Sequence, residues 1–332
     1  MPEMRFNHVT GDWVIIAPER ARRPGHAIVR AKKALPPTHV DDCPFCLGNE
    51  HETGEEKLRL AHPDAGARGV ESPWQVRSVV NLYSALVPNG AVVRAGDPLH
   101  MSMTGIGLHE VIIESPDHSM SPSRLPNDDL EYILEAHHQR FNAFYEDPRV
   151  NYVVVFKNHG SGAGTSLEHP HSQIVGTPVV PAQIRERLVD ALRFRNDTGE
   201  CLFCATLRQE LEDGSRIVLE NRSFVAFIPY AAMSPFHLWV FPRVHQASFS
   251  STLPEERRDL AEILESYCAG LRFISTTLIT TMCFGRFRQP NHGSAIFTGI
   301  WRLSRGSHTL RVSSWAQACT SMPRAPSKAP RC

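Results

Sequence analysis

Apolar and polar positions sort the chain into amphipathic helical stretches separated by short β-branched runs. Residues 127 to 146, NDDLEYILEAHHQRFNAFYE, carry Leu130, Ile133, Leu134 and Phe141 at helical spacing behind an acidic start, which predicts a covering helix. The stretch from Pro181 to Phe194 opens on proline and is expected to link two halves. PEERRDLAEILESY, with an acidic first turn, predicts another helix. NYVVVFK (Asn151 to Lys157) and SQIVG read as strands, as do IVLE, FVAFI and HLWVFP further on. The order of elements in the later part repeats that of the earlier part.

No apolar run approaches the ~18 residues a spanning helix needs, so 332 residues at 42% hydrophobic content read as a soluble chain of about two domains. Lysine plus arginine equals aspartate plus glutamate at 35 each, which gives no net field to attract nucleic acid or a membrane surface. The start, MPEMRFNHVTGDW, lacks a basic and apolar export signal, and the expected location is the cytoplasm.

Eight cysteines in such a chain read as metal ligands or free thiols. Cys43 and Cys46 form CPFC, Cys201 and Cys204 form CLFC, and Cys268, Cys283, Cys319 and Cys332 are scattered. A lone CxxC is also compatible with a redox pair, but no thioredoxin-like βαβ pattern surrounds either one. Two knuckles in separate halves suggest a repeat. Each needs two further ligands for a tetrahedral zinc shell, and His118, after the apolar run Val111 to Ile113, and His169 are candidates for the first.

The chemistry concentrates in SLEHPHSQIV, residues 166 to 175, which follows the glycine-rich run NHGSGAGTS. Gly160, Gly162 and Gly164 lack the Cβ that would stop backbone N–H groups closing around phosphate oxygens. A bare HxH is as readily two loop histidines beside a flexible turn; the glycine-rich approach and Gln173 tip the reading toward chemistry. If His169 binds zinc, Pro170 removes slack and the metal pins the loop carrying His171, which stays free to attack phosphorus.

TGDWVIIAPERARRP, CPFC, NLYSAL, HEVIIESPDH, VFKNHGSGAGTSLEHPHSQ and SPFHLWVFPRVH together resemble the galactose-1-phosphate uridylyltransferase family of the histidine-triad superfamily, over about residues 4 to 270. The resemblance implies an α+β fold of two histidine-triad-like halves, each an antiparallel sheet with covering helices. It implies His171 as nucleophile, Gln173 as a phosphoryl contact, and Asn158, Gly164, Thr165 and Ser166 as the phosphate cradle. Asn81 and Tyr83 would flank the nucleotide, and Arg20 and Arg23 would reach phosphates, often across a homodimer interface. Cys43, Cys46, His118 and His169 match the family's zinc ligands, and His245 is the expected third ligand beside Cys201 and Cys204. Residues 1–190 are then the half with nucleophile and zinc, 191–270 the second half, and 271–332 an aberrant tail.

The implied activity moves UMP between hexose 1-phosphates through a nucleotidyl-histidine, with UDP-glucose and galactose 1-phosphate as the default pair. An enzymatic rival uses an ADP-sugar and inorganic phosphate. A third reading, of another class, is a catalytically inactive zinc protein that binds nucleotides.

The tail departs from the family pattern. With codons regrouped from each third base, FISTTLITTMC from Phe273 can encode YFNNPDYNYV, FTGIWRLSRG from Phe297 can encode HWYLAIVPR, and LRVSSWAQACTS from Leu310 can encode AGFELGSGMYI, with the first two bases of the next codon completing the N of AGFELGSGMYIN. These strings resemble family segments in one common frame, so we expect a frameshift near Gly270 and an incomplete second zinc site, to which His292 or His308 are the remaining histidine candidates. Arg187 stands near where some family members place an iron-binding glutamate, and no iron is expected. His237 is read as a packed strand histidine, and the pair His137 and His138 as solvated.

Overall fold

Buried side chains along the strands, and the stripe on each long helix, resolve among the described residues into two larger sheets and two two-stranded ribbons, with a pair of helices between the larger sheets in chain order. The computed structural model describes residues 2–17, 35–61, 74–159, 167–233, 237–272 and 284–287. The first half runs β1 (Glu3–Asn7), β2 (Asp12–Ile16), β3 (Glu56–Leu60), β4 (Val76–Val80), β5 (Arg94–Ala95), β6 (Ser102–Met103), β7 (Leu108–Ile113), α1 (Asn127–Glu146), β8 (Tyr152–Phe156) and β9 (His171–Thr177). The second runs α2 (Ala182–Thr198), α3 (Leu202–Asp213), β10 (Ile217–Glu220), β11 (Phe224–Phe227), β12 (Trp239–Pro242), α4 (Pro254–Arg272) and β13 (Phe284–Phe287).

Six antiparallel strands in the order β13-β8-β9-β7-β4-β3 form the larger sheet. β9 is interior, with His171 opposite Ile113 and Gln173 opposite Val111 on β7. Because strand side chains alternate, Ile112, Val153, Val155 and Ile174 turn to one face, where Leu130, Ile133, Leu134, Phe141 and Phe144 of α1 cover them. Gly176 permits this approach: a Cβ there would come within 2.7 Å of Phe144 Cδ1. Val79, Val111 and Ile113 turn to the opposite face, with Trp74 and the knuckle residues Phe45 and Leu47. His171 and Gln173 share that second face.

The smaller sheet, β10-β11-β12, has the same plan. Ala226 and Val240 join Leu260, Ala261 and Leu264 of α4 in the core that also contains α1. Val225, Phe227, Trp239 and Phe241 pack on the opposite face against Leu202, Phe203 and Leu207 of α3, the helix that begins at the second knuckle. The two larger sheets therefore share a layering, with three strands in the smaller and six in the larger among the described residues, the sixth being β13 from beyond α4.

Three findings differ from the sequence reading or refine it. His137 and His138 are not solvated: α1 is covered by the sheet on one side and by α4 and its approach on another. His137 is 1% exposed and its Nε2 lies 2.8 Å from Ser172 Oγ, while His138 Nε2 lies 3.1 Å from the Ser250 carbonyl. Residue 190, the expected boundary, falls inside α2. Four residues of the tail expected to pack poorly form β13, which pairs with β8 from Phe284 opposite Val155 to Phe287 opposite Tyr152. The rest of residues 273–332, including His292 and His308, lies outside the described residues.

Candidate active site and metal centre

The CPFC turn is tight: the Cys46 N–H donates to the Cys43 carbonyl at 3.1 Å, and the Val40 N–H donates to Cys46 Sγ at 3.3 Å. The His118 N–H donates to the Thr38 carbonyl at 2.9 Å, bringing the end of the β7 connection to the knuckle. His169 arrives from the segment before β9, and its Nε2 lies 2.8 Å from the Ser115 carbonyl. That contact requires Nε2–H, which leaves the Nδ1 lone pair facing the sulfurs.

His169 Nδ1 stands 3.7 Å from both Cys43 Sγ and Cys46 Sγ, His118 Nδ1 stands 3.5 Å from Cys46 Sγ, and the two Nδ1 atoms are 3.2 Å apart. The edges of a tetrahedron built on ordinary metal–sulfur and metal–nitrogen bonds are about 3.3 to 3.8 Å, so this buried donor set fits one four-coordinate metal ion. Burial pushes the Cys46 thiol up to about 11 and the His169 imidazole down to about 4. Both prefer their neutral forms when taken out of water; a cation supplies the charge that makes the thiol a thiolate ligand.

Two residues on, His171 opens β9 and is 8% exposed. Its Nδ1 lies 2.8 Å from the His169 carbonyl, so Nδ1 carries the proton and Nε2 keeps its lone pair. Burial lowers its pKa, which favours the neutral, nucleophilic imidazole. Phe45, inside the knuckle, meets the His171 ring edge-on with centroids 5.5 Å apart. The knuckle turn thus also packs the nucleophile candidate.

A polar layer lies beneath. Lys157 Nζ donates to the His171 carbonyl at 3.3 Å and pairs with Glu114, both groups being buried. Burial pushes the Glu114 carboxyl up, but Lys157 beside it, helped by His137 and Ser172, outweighs this and holds it below the usual carboxylate range. His159, read only as part of the glycine-rich run, is pushed down to about 4 by burial and then by the Lys157 charge.

Gln173 lies on the His171 face of β9, and its Oε1 is 2.9 Å from His109 Nε2. Asn81 Nδ2 is 3.0 Å from the same nitrogen, and the Tyr83 N–H donates to Asn81 Oδ1 at 2.9 Å. Asn81 and Gln173, distant in sequence, therefore meet through His109, while the Tyr83 ring is 92% exposed on the adjoining turn. Asn158 follows β8 and is half-buried. Gly164, Thr165, Ser166, Arg20 and Arg23 lie outside the described residues. His109, Phe45, Lys157 and Glu114 were not singled out from sequence. The available signal was position: His109 shares a strand face with Val111 and Ile113, where a polar residue must find a partner.

At the second knuckle, Cys204 Sγ and His245 Nδ1 are 3.2 Å apart, and Cys201, Cys204 and His245 form a three-donor group, partly exposed, among the described residues. His237 is packed, as read: it is 1% exposed, with Nε2 3.1 Å from Trp239 Nε1 and Nδ1 3.2 Å from the Met233 nitrogen, of which one ring nitrogen at a time can accept. Among the described residues, no helix is long and apolar enough to cross a membrane.

Residues 1–181 match the N-terminal domain of the galactose-1-phosphate uridyl transferase family, and the chain belongs to that family. An ADP-glucose phosphorylase from Arabidopsis thaliana is 34% identical over 266 residues, covering 80% of this chain and 72% of that protein. A galactose-1-phosphate uridylyltransferase from Haemophilus influenzae is 27% identical over 266 residues, with the same coverage of 80% and 72%. A solved structure of an ADP-glucose phosphorylase from Arabidopsis thaliana with bound ADP-glucose superposes with a TM-score of 0.73 at 28% identity, covering 95% of this chain and 91% of that one.

Proposed function

We propose that this chain transfers a nucleotidyl group from a nucleotide sugar to a phosphate acceptor through a covalent intermediate on His171. The observation that carries the reading is the presentation of His171: Nδ1 is tied to the His169 carbonyl and Nε2 is left with its lone pair, at the end of an interior strand held by the metal-donor cluster. Nε2 bonds to the α-phosphorus as the phosphorus–oxygen bond to the sugar 1-phosphate breaks, and the sugar 1-phosphate departs. An oxygen of the incoming phosphate then bonds to phosphorus as the phosphorus–nitrogen bond breaks, restoring neutral His171.

Gln173 is assigned to the phosphoryl oxygens, Asn158, Gly164, Thr165 and Ser166 to the cradle, and Asn81 and Tyr83 to the nucleoside. Arg20 and Arg23 are assigned to phosphates within a homodimer. Cys43, Cys46, His118 and His169 would hold zinc, which when bound supplies a fixed anchor for the His171 loop. Cys201, Cys204 and His245 would form a weaker second zinc site.

Of the two nucleotide sugars, ADP-glucose with inorganic phosphate is supported by 34% identity to the ADP-glucose phosphorylase, against 27% to the uridylyltransferase. UDP-glucose with galactose 1-phosphate remains the second reading, supported by the family match of residues 1–181. Product analysis separates them: ADP and glucose 1-phosphate from the first pair, UDP-galactose and glucose 1-phosphate from the second. Turnover of neither pair, nor of any other nucleotide sugar, would overturn the proposal.

A further inference from the structure

His109 is 8% exposed, and one of its ring nitrogens faces two side-chain amides at once. Asn81 is fixed in orientation. Its Oδ1 accepts the Tyr83 N–H, so its NH2 group must face His109 Nε2. Its own backbone N–H also donates to the His109 carbonyl at 3.0 Å. Gln173 approaches the same nitrogen with Oε1 at 2.9 Å.

A single imidazole nitrogen cannot serve both. As N–H it donates to Gln173 and leaves the Asn81 NH2 without an acceptor; as a lone pair it accepts from Asn81 and repels Gln173 Oε1. The other nitrogen does not break the tie, because Nδ1 is buried with no hydrogen-bond partner among the described residues. The ring is therefore an element with two arrangements that a ligand can bias.

We propose that His109 is a positioning residue for nucleotidyl transfer, whose Nε2–H holds Gln173 Oε1 and so aims the Gln173 NH2 group at oxygens of the bound nucleotide. This rests on the reading of His171 as nucleophile. In that arrangement the Gln173 NH2 group has no acceptor among the described residues, and phosphoryl oxygens of the bound nucleotide complete it. In the other arrangement the Gln173 amide loses its anchor, and its oxygen is free to turn toward the anionic phosphoryl group and oppose its binding.

The test measures single-turnover formation of the nucleotidyl-enzyme with labelled ADP-glucose and UDP-glucose. His109→Phe keeps a ring but no nitrogen, His109→Gln restores an amide at the reach of Nε2, and both are made alone and with Gln173→Ala. We expect His109→Phe to slow labelling roughly 10- to 100-fold, the usual effect of losing such a supporting group, His109→Gln to recover most of it, and His109→Phe to add less than about 2-fold to Gln173→Ala. An equal loss on both backgrounds, or no loss, overturns the proposal. If His109→Phe does not fold, nitrogen-15 NMR of the native protein serves: with nucleotide sugar bound, His109 should be the Nε2–H tautomer, and an Nδ1–H tautomer in the complex overturns the proposal. A native protein that labels normally but ignores His109→Phe rejects only this inference, whereas a native protein that never labels rejects the His171 reading itself.

Discussion

His171 Nδ1 lies 2.8 Å from the carbonyl oxygen of His169, the residue that also offers its Nδ1 to the cysteine pair. One dipeptide step thus links metal donor and nucleophile candidate: the backbone of the first sets the tautomer of the second. Long-range proton–nitrogen NMR should therefore find His171 protonated at Nδ1 and bare at Nε2 in the neutral form. The reverse tautomer would remove the attacking lone pair from the place proposed for it.

The four-donor cluster predicts one tightly held zinc per chain after dialysis. Cys43→Ser should lose that ion and a large part of the thermal stability, because structural zinc binding is worth about 10 kcal/mol or more. Cys204→Ser should leave the ion in place, since the second group offers three donors among the described residues. Retention of zinc in Cys43→Ser, or its loss in Cys204→Ser, would reverse the order of the two sites.

The buried Lys157–Glu114 pair supports the His171 backbone from below. Lys157→Met strands a carboxylate in the core and is expected to cost about 3–5 kcal/mol, measurable by urea denaturation at neutral pH. Joint replacement by Lys157→Met and Glu114→Leu should recover much of the loss. Because the folded Glu114 pKa is depressed, the pair's contribution is complete above the ordinary value of 4.5 and fades as pH falls through the folded value. The gap between native protein and Lys157→Met should narrow in acid. A gap independent of pH would mean that Glu114 is not the charged partner.

Much of the fold could be read from the chain where one physical signal dominated. Helical spacing fixed α1 at 127–146, and β-branched runs located β8, β10, β11 and β12. The cysteine spacing and the HPH step identified four residues, Cys43, Cys46, His118 and His169, that the fold brings together. What escaped depends on the far side of an element. His137 looks solvated on a helix considered alone, yet Ser172 lies 2.8 Å away on the sheet beneath it. His109 becomes notable only when strand register sets it diagonal to Gln173 and the turn after β4 brings Asn81. Phe45 looks like filler within CPFC until its ring meets His171.

Sequencing the gene across the codon for Gly270 should reveal a base gained or lost relative to the frame that encodes the family-like strings. An uninterrupted frame there would establish the present tail as the native one.

The central claim is covalent transfer at His171, and its most direct measurement is trapping the intermediate. The protein is incubated with nucleotide-labelled ADP-glucose and UDP-glucose without acceptor, and the labelled peptide is mapped by mass spectrometry. The account predicts a base-stable, acid-labile nucleotidyl group on Nε2 of His171, released by acceptor phosphate and absent in His171→Ala. Equal labelling of His171→Ala, or no label from any nucleotide sugar, would contradict it.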